Sequence, residues 1–423
     1  MSTSPQTVPL STLLSTYPQN GYSPICTASP TGKWVLSLAA LSDGELNLSE
    51  VKPVRIEDSM IDRFLLQPGD FLISRSNTLD KVGRIGVYRG GLDNCHYPDL
   101  MMRFRPDAAK VNPDYLAIYL ASGQIARYIR RHATGTSGSM KKINQAVVEA
   151  IPVLLPGIGI QNKIVAVQKT WDRAISLVER LITAKEEQRK WLMQQLLTGK
   201  RRLPGCKKAW QSVKIGSILC ERKEKASKSA EVPLYSLTIE NGITPKTDRY
   251  DREALVKNVA SKEYKVVYPL DLVFNPSNLR WGAIALCTVE FRVLVSPIYE
   301  VLFINSVATT DMRFVAQVLS SDRQIKKFAS QTEGTLVERM AVKIDHFLST
   351  KIDIPIEYKE QKAIASVLTN ADREIDLLRQ KLAFLREQKK VLMQQLLTGK
   401  IRVKTENNVF PDVRKAIERN YSK

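Results

Sequence analysis

Two short runs of this chain carry side chains suited to reading a nucleic acid. Arg75, Ser76, Asn77, Lys81 and Arg84 fall in one polar stretch, and Thr136, Ser137, Ser139, Lys141 and Lys142 in a Gly/Ser-rich one. Arg and Lys supply donors for phosphate oxygens, whereas Asn, Ser and Thr offer short donor and acceptor groups to base edges in the major groove. A comparable set lies further along: Asn275, Ser277, Asn278, Arg280 and Trp281, then Thr335 and Arg339. Any one of these is equally a solvated loop residue. As two groups in equivalent loops they point to DNA.

Catalytic chemistry has less material. His96, His132 and His346 are isolated, and the five cysteines (Cys26, Cys95, Cys206, Cys220, Cys287) never form a CxxC pair, which argues against histidine-centred catalysis, structural zinc and a disulfide framework. Asn275–Asn278 reads NPSN and lacks the second proline and the aromatic of the NPPY-like tetrad of adenine methyltransferases, and no convincing G-x-G-x-x-G accompanies it. A PD…(D/E)xK nuclease centre could be assembled from Asp251 with Glu263-Tyr264-Lys265, but short ExK matches arise readily in a chain rich in Lys and Glu. There is no Walker A string. Catalysis is expected from partners, with no catalytic or metal-binding residue on this chain.

The elements that must carry these loops are duplicated. The string MQQLLTGK occurs at Met193–Lys200 and at Met393–Lys400, and the flanking seventeen-residue segments Glu187–Leu203 and Glu387–Val403 agree at 13 of 17 positions. Each string ends a long helical pattern. In the second copy Ile364, Leu368, Ala371, Ile375, Leu378, Leu382, Leu385, Lys389, Leu392 and Leu396 follow coiled-coil spacing, and in the first Ile164, Gln168, Trp171, Ile175, Val178, Ile182, Lys185, Arg189, Leu192 and Leu196 do so in the same register. Two matched seams in one chain favour an intramolecular antiparallel pair over a zipper between chains. Gly199 and Gly399 are the expected C-caps.

The segments ahead of each helix read as mixed α/β. Strand-like runs are Phe71–Ser74, Arg84–Tyr88 and Met101–Arg105, then Lys265–Tyr268, Leu272–Phe274, Ala283–Cys287 and Val293–Val295; helical patterns follow at Pro113–His132 and Asp311–Gln331. Pro68–Val87 and Ala133–Ile143 are loosely similar to Pro269–Leu286 and Thr332–Val342. Lys200–Lys228, dense in Lys and Arg, reads as a solvated linker, with a phosphate-tracking role as the alternative. The fold expected is α/β (α+β), with two similar lobes and two long helices: 1–156, 157–204, 205–356 and 357–403, with a tail at 404–423.

With 63 basic and 43 acidic residues among 423, the formal charge of +20 attracts a polyanion. An anionic membrane surface is the competing reading, weakened because no run of 18 apolar residues is present and the N-terminus has no leader pattern. A cytoplasmic location with no membrane association is expected.

The order of lobe, helix ending LLTGK, second lobe and second helix ending LLTGK resembles the specificity subunit of type I restriction-modification enzymes across essentially the whole chain. The resemblance is carried by Gln194–Lys200 and Gln394–Lys400, the turn at Gly69–Ser76, and Gly135–Thr136; in the second lobe Leu270-Asp271 replaces Gly-Asp and Asn275–Asn278 replaces Ser-Arg-Ser. It implies two target recognition domains, each reading half of a split site in double-stranded DNA, and an antiparallel coiled coil that spaces them and docks two methyltransferase subunits. Leu192, Met193, Gln194, Gln195, Leu392, Met393, Gln394 and Gln395 are then the docking candidates. The resemblance also implies S-adenosylmethionine on the methyltransferase, and ATP and Mg on restriction/translocase subunits; a coiled coil tens of Å long that holds the lobes at a fixed distance would set the half-sites about one helical turn of DNA apart. The alternatives are a stand-alone DNA-modifying or DNA-cleaving enzyme and a coiled-coil adaptor unrelated to DNA.

Overall fold

The computed structural model describes residues 6–42, 44–135, 140–228, 232–246, 263–332, 340–401 and 403. The chain forms two compact units, one of Met1–Val178 with Lys381–Lys423 and one of Glu179–Gln380. Each therefore contains a lobe and one half of each long helix, whereas the sequence boundaries treat each helix as a segment of its own.

In the first unit a four-stranded antiparallel sheet runs in the order Leu14–Asn20, Met101–Pro106, Phe71–Ser74, Ile85–Val87. Phe71–Ser74 is buried throughout, because both of its faces are covered. One face packs Phe71, Ile73, Met102 and Phe104 against helices α1 (Pro113–Leu120) and α2 (Gly123–His132); the other packs Leu72 and Met101 against Leu36, Leu41, Tyr88 and Tyr97. The sequence pattern predicts one helix over Pro113–His132, but the chain breaks it at Ala121-Ser122. Serine gives up little on leaving a helix, since its hydroxyl competes for backbone bonds there. Asn112 caps α1 by accepting from Tyr115 N–H at 3.1 Å.

The second unit repeats the plan. Its sheet runs Leu219–Glu221, Glu300–Ile304, Leu272–Phe274, Ile284–Leu286, and it is covered by α3 (Met312–Leu319) and α4 (Asp322–Ala329). Asp311 caps α3 at 3.0 Å and Ser321 caps α4 at 3.4 Å, so the pattern at Asp311–Gln331 is also split at a serine. The reading of Lys200–Lys228 as a linker is corrected: Trp210–Lys214 pairs with Lys351–Pro355, and Leu219–Glu221 is the sheet's edge strand. Ile215 and Leu219 are fully buried, and their apolar signal is diluted in sequence by the intervening cations.

The two long helices, Ile158–Leu196 and Tyr358–Leu397, enter both cores. Ile164 and Val165 join Met393, Leu396 and Leu397 in the first lobe's core; Leu196 and Leu197 join Ile364, Ala365 and Leu368 in the second's. A glutamine at the same repeat position locks each lobe to its helix. Gln161 accepts from Asn112 N–H at 2.8 Å and donates to the Pro156 carbonyl at 2.7 Å, while Gln361 accepts from Asp311 N–H at 2.9 Å and donates to the Pro355 carbonyl at 2.8 Å. Within each unit the helices run antiparallel, as the matched seams predict. Gly199 and Gly399 follow the helix ends at φ 67 and 71, the left-handed conformation of a C-cap.

Candidate nucleic-acid interface

In the first lobe the two polar runs become one surface. Ser76–Asn77 pairs antiparallel with Lys141–Lys142, placing Asn77 opposite Lys141. The Arg75 carbonyl accepts from Ile143 N–H at 2.9 Å, and Thr134 and Lys142 exchange backbone bonds, each at 2.9 Å. Lys81, exposed, and Arg84, half-buried, sit on the adjoining turn, where Gly83 has φ +77 and its Cα faces Ile129 of α2. Thr78 donates to Asp80 at 2.6 Å and, with nearby Lys81 and Arg84, holds that carboxyl below its ordinary range. Arg75 is half-buried, its guanidinium 3.5 Å from the Asp99 carbonyl. Ser76 is corrected as a contact residue: it is buried, and its hydroxyl lies 3.6 Å from Met140 Sδ. Thr136, Ser137 and Ser139 lie outside the described residues.

The second lobe builds the same support with other side chains. The Pro276 carbonyl accepts from Val342 N–H at 3.1 Å, the counterpart of the Arg75–Ile143 tether. Asn275 uses its side-chain oxygen to accept from Ser277 N–H at 3.1 Å, so part of its polarity shapes the turn. Leu279 is a buried anchor, Ser277 and Asn278 are exposed, and Arg280 stacks 4.9 Å over Trp281, itself 54% exposed. An exposed indole held by a guanidinium offers a flat apolar face with a cation beside it. Thr335 and Arg339 lie outside the described residues.

The loops issue from one buried turn in each lobe. Asp70 accepts from Gln67 N–H at 2.8 Å and from the Arg105 guanidinium at 2.7 Å; Asp271 accepts from Tyr268 N–H at 2.8 Å and from Arg222 at 2.7 and 2.9 Å. Gly69 takes φ 95 and Leu270 takes φ 68, so the second lobe adopts the left-handed turn despite the replaced glycine. This shared backbone was not legible from Leu270-Asp271.

Of the docking candidates, Gln194 and Gln394 are exposed. Met393 is corrected: it is buried in the first lobe's core, with Leu392 packed beside it, while Leu192 and Met193 pack against the second lobe's core. The apolar side chains that face outward were missed: Leu177, Phe384 and Val391 in the first unit and Leu181, Trp191 and Leu377 in the second. Leu177/Leu377 and Trp191/Val391 are repeat equivalents, visible in sequence only as a stripe one residue out of phase with the seam. A groove of about 630 Å³ in the first unit is lined in part by Arg127, Lys390, Met393 and Gln394. Cys206, Glu357 and Glu360 also lie close together, but Arg202 takes both Glu360 oxygens at 2.6 Å and Lys208 reaches Glu357 at 3.3 Å, an ion-pair network.

These features define a duplicated scaffold: two α/β lobes of one design, each presenting a tethered polar surface and each packed with antiparallel segments of the two long helices. No family model matches the chain. A Methanocaldococcus jannaschii protein provisionally named the type I restriction enzyme MjaX specificity subunit is 25% identical over 399 residues, covering 88% of each chain. The EcoKI specificity subunit of Escherichia coli is 28% identical over 149 residues, or 35% of this chain and 32% of that one. In structure, the S subunit of the M. genitalium type I system aligns over 93% of this chain and 96% of that one (TM-score 0.52, 12% identity). A chain from a structure describing assembly of the type I R-M system aligns over 93% and 97% (TM-score 0.58, 14% identity). The chain is thus similar in sequence to specificity subunits of type I restriction enzymes and similar in fold to S subunits of type I systems.

Proposed function

We propose that this chain is the DNA-specificity subunit of a type I restriction-modification complex, the first lobe reading one half of a bipartite, asymmetric site and the second lobe the other. The observation that carries this is the shared tether: Arg75 O with Ile143 N and Pro276 O with Val342 N support equivalent loops that present different side chains. One backbone design bearing two side-chain sets suits two different half-sites on one duplex. Direct candidates are Asn77, Lys81, Arg84, Lys141 and Lys142 in the first lobe and Ser277, Asn278, Arg280 and Trp281 in the second.

Methylation and cleavage belong to partners in this reading. Two methyltransferase subunits carrying S-adenosylmethionine would dock at the repeated helix surfaces, and restriction/translocase subunits using ATP and Mg would complete the complex. The reading places the complex in the cytoplasm; among the described residues no helix is long and apolar enough to cross a membrane.

Co-expression with type I methyltransferase subunits followed by mapping of methylated bases tests the reading. A split, asymmetric site is expected, and exchanging residues 1–156 for another lobe should change one half only. A continuous palindromic site, or a change in both halves, overturns it.

A further inference from the structure

The first lobe carries cations that the paired loops do not account for. Arg127, Arg130, Arg131 and His132 are exposed on α2, whose Ile125 and Ile129 are held in the core. A Cβ on Gly83 would fall 2.5 Å from Ile129 Cγ2, so the turn bearing Lys81 and Arg84 lies directly against the helical turn bearing Arg130 and Arg131. Past the helix, Thr134 bridges to Lys142, which continues the basic surface. Neither Arg130 nor Arg131 has an ion pair or side-chain hydrogen bond among the described residues.

Cations at a helix C-terminus can simply offset the helix dipole. The second lobe argues against that as the whole reason. Its α4 ends at Ala329 with Lys326 and Lys327 in its last turn, and Ala329 and Ser330 stand at the repeat positions of Arg130 and Arg131. The same helix end, in the same fold, is thus served by two lysines one turn back and is built without the terminal pair that α2 adds.

We propose that Arg130 and Arg131 bind backbone phosphates of the duplex beside the half-site read by the first lobe, making that lobe the stronger electrostatic anchor. This rests on the DNA-reading function above and adds to it a division between the lobes: one holds the duplex more tightly through sequence-independent contacts. Two guanidiniums on adjacent residues displace counterions without selecting a base, so their loss should weaken all sequences alike.

The test is the salt dependence of binding by the full chain to a short mixed-sequence duplex, followed by fluorescence anisotropy. In R130A/R131A the log–log slope should become shallower by about 1.8, so that the affinity lost between about 50 and 200 mM salt shrinks roughly tenfold. R130K/R131K should keep the native slope, A329R/S330R should steepen it by a similar amount, and K359A/K362A, an equal change of net charge elsewhere, should leave it unchanged. A native slope in R130A/R131A with binding intact overturns the proposal alone. An equal loss in K359A/K362A also overturns it, by reducing the effect to net charge. Should R130A/R131A fail to fold, the A329R/S330R slope decides. If the unsubstituted chain shows no salt-dependent duplex binding, the DNA reading falls with it.

Discussion

Lys389 reaches Asp172 at 2.5 Å, and 200 residues away in each direction Arg189 is paired with Asp372, its Nη2 lying 3.1 Å from the second carboxylate oxygen. The seam's repeated basic position is thus satisfied, in each unit, by the aspartate of the facing helix. Lys185–Glu374 at 2.9 Å and Arg379–Glu186 at 2.7 Å flank the second pair. Such pairs fix antiparallel register more than they add stability, since a parallel alignment would leave the seam cations without acids opposite.

A double-mutant cycle at this pair should therefore return a small coupling. Arg189→Asp is expected to cost about 1 kcal/mol, with R189D/D372R recovering most of it, as measured by urea unfolding. Strictly additive losses would show that the pair does not couple.

The glutamine locks should matter more. Gln361 is almost fully buried and serves Asp311 N–H and the Pro355 and Thr309 carbonyls, so Gln361→Leu leaves backbone groups unsatisfied. A loss of about 3 kcal/mol is expected, and Gln361→Glu should not rescue it, because a carboxylate cannot donate to the carbonyls. A loss below about 1 kcal/mol would place the helix attachment elsewhere.

The left-handed turn gives opposite results in the two lobes. Gly69→Ala should cost about 1 kcal/mol, whereas Leu270→Gly should gain about 0.5 kcal/mol, the relief of a left-handed leucine exceeding the extra entropy of glycine in the unfolded chain. Comparing thermal midpoints of the two variants with the parent checks the sign.

Partner docking should respond to the outward apolar residues rather than to Met393. Trp191→Asp with Val391→Asp is expected to abolish copurification of methyltransferase subunits with a stability change of about 0.5 kcal/mol or less, since both side chains are 45% exposed. Native mass spectrometry of the double variant still carrying two partner copies would exclude this surface.

Thiol reactivity should divide by burial. Cys95 is pushed up to about 12 by burial and Cys287 is raised for the same reason, whereas Cys26 and Cys220 are exposed. Because the thiolate is the reactive species, a disulfide reagent at mildly alkaline pH should label Cys26 and Cys220 rapidly and Cys95 only on unfolding. Fast labelling of Cys95 in the native chain would contradict its packing.

The duplication and the helices were legible because a string repeated in register survives any surface divergence, and because the heptad pattern is local. The strands Phe71–Ser74, Leu272–Phe274 and Val293–Val295 were legible as short apolar runs. What the sequence concealed was set by long-range pairing. Nothing local shows that Asn77 faces Lys141, that Ser76 points inward, or that Trp210–Lys214 is strand rather than linker. Met393 was misplaced because it lies outside the seam series, and only the lobe's position shows that this face is also covered.

The two units differ in when they can be finished during synthesis. The second is a continuous stretch, Glu179–Gln380, and has all of its parts once residue 380 has been made. The first begins earlier but is completed last, because Met393, Leu396 and Leu397, from the final helix, close its core. Until they emerge from the ribosome, the core that contains Ile164, Val165 and Val153 lacks part of its cover. A ribosome pausing between the two lobes would hold an incomplete N-terminal half open to aggregation, and the order of folding would run against the order of translation.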